Sequence, residues 1–207
     1  MAKERQDNPA ENEPLKEARL KGLHDAARGN GEKGPPPVHL WNPPYCGEID
    51  LRIAADGSWH YLGSPIGRPA LVRLFASILK REAEGYVLVT PVEKVGIRVE
   101  DAPFLAVEMS LLPSPAGCLL QFRTNVDDIV ICDADHPLRF ETEAGSDGLK
   151  PYLHVRRDLW ARLSRPLVYD LVARGEAREI AGKRVFGIAS GSHFFTIAAA
   201  DSLKSEM

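Results

Sequence analysis

The feature that most constrains this chain is a pair of matched helix starts. Arg68-Pro69 precedes Leu71, Val72, Leu74 and Phe75, and Arg165-Pro166 precedes Leu167, Val168, Leu171 and Val172. The two steps lie 97 residues apart, from 68 to 165, close to half of the 207-residue chain. Proline suits the first turn of a helix because its missing N–H would have no intrahelical acceptor there. Strand-like segments precede and follow both helices, so the order of elements repeats together with the dipeptide. That predicts a duplicated core.

The strand-like segments alternate apolar and polar residues, the period of a half-buried strand. Ile49, Leu51 and Ile53 alternate with Asp50 and Arg52; Asp56-Gly57 is a hairpin turn, and Trp59 to Leu62 returns. The spacing Leu71, Leu74, Phe75, Ile78 and Leu79 predicts a helix that runs on to a stop at Gly85. Residues 86–90, 95–99 and 104–111 follow as strands, then 118–124, 129–132, 138–141 and 152–156. A second helix is expected from Arg165 to Ala173, with strands at 176–180, 184–189 and 194–198. The fold class expected is α+β, with two related, mostly antiparallel-sheet domains of one main helix each.

Residues 1–38 read as a tail, disordered or loosely docked, with one weakly amphipathic helix carrying Leu15, Ala18, Leu20, Leu23 and Ala27. Residues 39–115 form the expected N-terminal domain and 116–200 the C-terminal one. The run Trp41 to Gly47, with Pro43 and Pro44, reads as a rigid loop because proline removes backbone donors. A net charge of −3 argues against a dedicated nucleic-acid binder, which carries a basic stripe. No apolar run approaches the roughly 18–20 residues a membrane span needs. The three cysteines, Cys46, Cys118 and Cys132, fit neither a disulfide framework nor a zinc site. A soluble cytoplasmic protein without metal or cofactor is expected.

No catalytic spacing is present. Ser192 and His193 are adjacent in a polar turn and do not form a nucleophile elbow, and Gly182-Lys183-Arg184 lacks the rest of a phosphate loop. The residues that suit a ligand are polar ones on ordered segments. Arg68 stands at a helix N-terminus, where a cation opposes the dipole unless an anion joins it. Arg98 and Asp101 flank the turn before Phe104. Gln121, Arg123 and Asn125 share one strand face by period two, next to Thr124, and offer a fork of donors plus an amide. Asn42, Tyr45 and Asp50 would support the site from the proline-stiffened loop and the strand after it.

Taken together, Trp41-Asn42-Pro43-Pro44, Gly47-Glu48-Ile49-Asp50, Asp56-Gly57-Ser58-Trp59, Gly67-Arg68-Pro69, Thr90-Pro91-Val92-Glu93-Lys94, Val99 to Phe104 and Thr124-Asn125 carry a further implication. This set, spread over residues 40–200, resembles a proteobacterial family of unknown function. The resemblance implies a duplicated α+β core with a C-terminal half like a pleckstrin-homology domain. It also implies a cleft between the halves that binds a nucleotide-type ligand in signalling. The leading expectation is therefore a non-catalytic binding or regulatory protein for a small anionic ligand. An adaptor using an exposed sheet edge and the N-terminal tail is the second reading. An enzyme built on Asp50, His60 and Asp101 is the third.

Overall fold

The computed structural model describes residues 21–22, 36–143 and 148–199. Lys21 and Gly22 are helical, and the rest of the expected N-terminal helix lies outside the described residues. The fold is mostly strand. Two nine-residue helices, α1 (Pro69–Ser77) and α2 (Arg165–Ala173), are set among fifteen strands in the described residues. The chain forms two compact units. One runs through Asp50 and resumes at Ile66–Ile97; the other comprises Leu51–Pro65 and the chain from Arg98 onward.

The first sheet contains β1 (Tyr45–Ile53), β2 (Trp59–Tyr61), β3 (Ser64–Pro65), β4 (Leu79–Glu82), β5 (Gly85–Val89) and β6 (Lys94–Val99), in the order β3-β2-β1-β6-β5-β4. The expected hairpin is present, with Leu51 opposite Tyr61 and Ile53 opposite Trp59. Leu51, Ile53 and Trp59 point into the core and Arg52 points away, toward an ion pair with Glu100. Two expectations are corrected here. Tyr45 to Gly47 belong to β1, so the rigid loop ends at Pro44. Val38, placed in the tail by sequence, is fully buried in a short 3-10 turn, Val38–Leu40.

Helix α1 also stops earlier than its apolar spacing implies. It ends at Ser77, whose hydroxyl donates to the Leu74 carbonyl at 2.6 Å. Ile78 and Leu79 keep the helical phase, yet Leu79 pairs with Leu88 in the β4–β5 hairpin. Both residues are buried either way, so periodicity alone could not separate the two outcomes.

The second sheet contains β7 (Phe104–Leu112), β8 (Leu119–Thr124), β9 (Ile129–Ile131), β10 (Leu138–Thr142), β11 (Leu149–Arg156) and β12 (Leu159–Leu163), in the order β10-β11-β12-β7-β8-β9. Strand β12 was not anticipated, although Leu159, Ala161 and Leu163 alternate buried with Trp160 and Arg162. It pairs in parallel with β7 and antiparallel with β11. The expected domain boundary at 115/116 falls in the turn between β7 and β8, two paired strands of this sheet. The sheet changes instead between β6 and β7, because the partners of β7 all follow it in sequence.

A third sheet, β13 (Glu176–Ile180), β14 (Lys183–Ser190) and β15 (His193–Ala199), follows α2. Each helix thus carries proline in its first turn and is followed by three strands that pair antiparallel in succession. This is the structural content of the repeat. The second unit is centred on Phe104, Phe122, Leu153, Leu159, Leu167 and Leu171. Full burial of such side chains stabilises by about 1.5–3 kcal/mol each. Helix α2 packs on β7, β11 and β14.

Candidate functional site

The polar residues singled out by sequence are given separate tasks. Thr124 is fully buried, and its hydroxyl accepts the Val126 and Asp128 N–H groups to shape the turn after β8. Asn125 accepts the Leu105 N–H at 3.0 Å and donates to the Gly57 carbonyl at 2.9 Å. Both of its amide atoms are therefore used in holding backbone. Arg123 is neutralised by Glu108 at 2.8 Å and Asp127 at 3.3 Å, and Gln121 accepts from Ser110. The bond to Glu108 holds the Arg123 guanidinium above its ordinary value.

Arg68 and Arg98 are exposed and have no ion-pair partner among the described residues. Arg68 belongs to the first unit, whereas Arg98, Asp101 and the β8 residues belong to the second. Tyr45 lines a pocket of about 400 Å³ in the first unit, beside Glu48, Glu82, Glu84 and Lys94. Glu82 is bound by Lys94 at 2.8 Å, which keeps its carboxyl below the ordinary value. Asn42 and Asp50 are exposed. His60 contacts the Ser58 hydroxyl at 2.9 Å, and that hydroxyl donates to Asp56 at 2.5 Å within the β1–β2 turn.

A cationic pocket lies at the second of the two repeated helix starts. Lys150 from β11, Arg162 from β12 and Arg165 from the first turn of α2 line an opening of about 660 Å³ with Tyr169. Its apolar wall includes Leu149, Leu163 and Val168. Three facts of local structure bring these groups together. Tyr152 pairs directly with Arg162, which places Lys150, two residues before Tyr152, on the same face as Arg162. Ser164 then ends the strand and starts the helix, its carbonyl accepting the Val168 N–H at 3.1 Å. One helical turn separates Arg165 from Tyr169, and the guanidinium donates to the phenol at 3.3 Å.

The charges in this pocket are only partly compensated. Lys150 meets Glu143 at 3.5 Å, and Arg162 donates to Asp101 at 2.8 Å. Arg165 donates to the neutral Tyr169 hydroxyl, a bond that holds its guanidinium above the ordinary value, with a smaller contribution from the charge of Glu143 on the same pocket. Ser164 makes no side-chain cap, so the positive end of the helix dipole adds to the cations. A guanidinium fork, an ammonium and an uncapped helix N-terminus suit a phosphate or carboxylate. Tyr169, 62% exposed, offers a ring face beside them.

Behind the pocket, Asp101 accepts from both Arg162 and the Tyr152 hydroxyl, the latter at 2.7 Å. Burial pushes the Asp101 carboxyl up, but the Arg162 and Tyr152 bonds outweigh it and hold it below its ordinary value. Burial and the bond to Asp101 push the Tyr152 phenol well above its own. Lys150, Arg162 and Tyr169 were not read from the sequence as site residues, and Arg165 only as a helix start. The available signals were the alternation of Leu159 to Leu163 and the equivalence of Arg165 with Arg68.

The fold and the site define a two-domain, strand-rich chain with a cationic pocket in its second half. The chain belongs to the DUF1285 family. The family's N-terminal domain (Domain of unknown function, DUF1285) matches residues 36–102, and its C-terminal domain (Protein of unknown function, DUF1285) matches residues 103–197. The crystal structure of a DUF1285 family protein from Silicibacter pomeroyi DSS-3 is similar, with 46% identity and a TM-score of 0.78. The match covers 88% of this chain and 98% of that one. A DUF1285 family protein from Shewanella baltica OS155 is 33% identical over 59% of this chain and 90% of its own, with a TM-score of 0.47. No curated protein matches. Among the described residues no helix is long and apolar enough to cross a membrane.

Proposed function

We propose that this chain is a non-catalytic binding or regulatory protein of the cytoplasm that takes a small anionic ligand of nucleotide type in signalling. The observation that carries this reading is the convergence of Lys150, Arg162, Arg165 and Tyr169 on one pocket. The cations supply the anion seat, and Tyr169 with its apolar neighbours supplies a surface for a ring. The pleckstrin-homology likeness of the C-terminal half belongs to the same reading, supported by its mostly antiparallel strands. Thermal unfolding followed during titration with nucleotides and cyclic dinucleotides tests it. A site filled at one hundred times Kd adds about 2.7 kcal/mol of stability. Absence of any shift, or a shift that survives in the R162A/R165A double variant, sinks the assignment.

A second reading, a protein-interaction adaptor, is favoured by the edge strand β9. Ile129 and Ile131 are 56% and 37% exposed there, and an open strand edge can pair with an added strand. Loss of a captured partner on Ile129→Lys with Ile131→Lys would support it.

A further inference from the structure

Arg162 belongs to two groups at once. It lines the cationic pocket with Lys150 and Arg165, and its guanidinium also donates to Asp101 at 2.8 Å. Asp101 sits in residues 100–103, the connector between β6 and β7, where the N-terminal family domain gives way to the C-terminal one. This connector is clamped residue by residue. The Glu100 N–H donates to the Ile53 carbonyl at 3.0 Å, and its carboxylate accepts the Ala55 N–H and pairs with Arg52. The Asp101 carboxylate, 18% exposed, is held by Tyr152 and Arg162. Ala102 and Pro103 are buried. Of these holds, the one from Arg162 comes from a side chain that also faces an open pocket.

Resting on the anion-pocket reading above, we propose that an anion entering the pocket draws the Arg162 guanidinium away from Asp101, so that occupancy is relayed as release of the 100–103 connector. A guanidinium has a fixed fork of donors, and a multiply charged phosphate competes for it against a single carboxylate. Once Arg162 turns, Asp101 keeps the neutral Tyr152 hydroxyl as its hydrogen bond and only the more distant charge of Lys150, which the same anion engages. A largely buried carboxylate without its cation is costly and moves toward water, opening the turn that holds it. Linkage makes the effect reciprocal: whatever weakens the hold of Asp101 on Arg162 strengthens anion binding.

The test uses the full chain with inorganic pyrophosphate as the probe. Amide hydrogen exchange at residues 99–102 is measured with and without it, and affinity is measured by calorimetry for wild type and for Asp101→Asn. Exchange in the connector is expected to rise on binding in the wild type and to be already fast, and unmoved, in D101N. D101N is expected to bind at least about fivefold more tightly, the lower end of ordinary coupling between sites. Pyrophosphate binding that leaves wild-type connector exchange unchanged overturns the relay and leaves the pocket standing. The same holds if D101N binds no more tightly than wild type. Failure of the wild type to bind pyrophosphate overturns both.

Discussion

The amide of Asn125 donates to the carbonyl of Gly57, 68 residues earlier in the chain, at 2.9 Å. A polar residue at a strand end reads as a ligand contact, and here it locks a hairpin turn onto the second sheet. Gly57 has φ +81 and stands so close that a Cβ there would lie 2.8 Å from the Asn125 nitrogen and 3.0 Å from the Leu105 Cβ. Asn125→Ala leaves the Leu105 N–H and the Gly57 carbonyl without their partner, at a cost of about 1–3 kcal/mol. Asn125→Asp keeps the acceptor for Leu105 but sets a carboxylate against the Gly57 carbonyl, and is expected to cost at least as much. Urea unfolding of both variants measures this, with no change expected in pyrophosphate affinity.

Ser190 ties the third sheet to the second. Fully buried, its hydroxyl accepts the Leu120 N–H at 2.9 Å and donates to the Cys132 carbonyl at 2.6 Å. Ser190→Ala orphans a buried donor and a buried acceptor, so a loss of about 1–3 kcal/mol is expected in the unfolding midpoint. The neighbouring Cys132 thiol, pushed up to about 12 mainly by burial, is expected to resist alkylation in the folded protein while Cys46 and Cys118 react.

Asp101 sets an acid limb of stability. Its carboxyl lies below the ordinary value of 3.8 in the folded chain, so it contributes stability above that pH. The contribution disappears as pH falls through the lower folded value, because the unfolded chain takes up the proton first. D101N, which is neutral at all pH, should be less stable than wild type near neutrality, and the gap should narrow below about pH 4. Equal spacing of the two unfolding curves across that range would show that the Asp101 charge contributes nothing.

The two repeated arginines are expected to behave differently. Arg165 lines the cationic pocket, whereas Arg68 caps the equivalent helix in the open. Arg165→Ala should abolish anion-dependent stabilisation, and Arg68→Ala should leave it intact. A thermal shift assay with pyrophosphate separates them, and equal behaviour would reject the pocket as the seat.

Much of the fold follows from local physics. The alternation around Leu51 and Ile53, the Asp56-Gly57 turn and the bounds of α2 at Arg165 and Ala173 need only side-chain period, turn chemistry and a proline in the first turn. The end of α1 did not follow, because Ile78 and Leu79 suit a helix face or a buried strand equally. Only pairing of Leu79 with Leu88 decided it. Strand β12 was legible in the alternation of Leu159 to Leu163, but its parallel partner β7 lies more than fifty residues earlier.

The paired Arg-Pro starts announce a repeat and set an arginine at the start of each helix. The sequence pointed to Arg68 together with Arg98, Asp101 and the residues Gln121 to Asn125. In the tertiary structure Lys150 and Arg162 arrive beside Arg165 on one pocket, which is the ground for proposing the anion seat there. Their arrival depends on the register of β11 against β12, which slips between His154 and Arg156. A one-residue slip turns a strand's side chains to the opposite face, so Lys150 and Arg162 meet only in the register that was formed. Period and turn chemistry are written in neighbouring residues; register and charge convergence are set by the whole sheet.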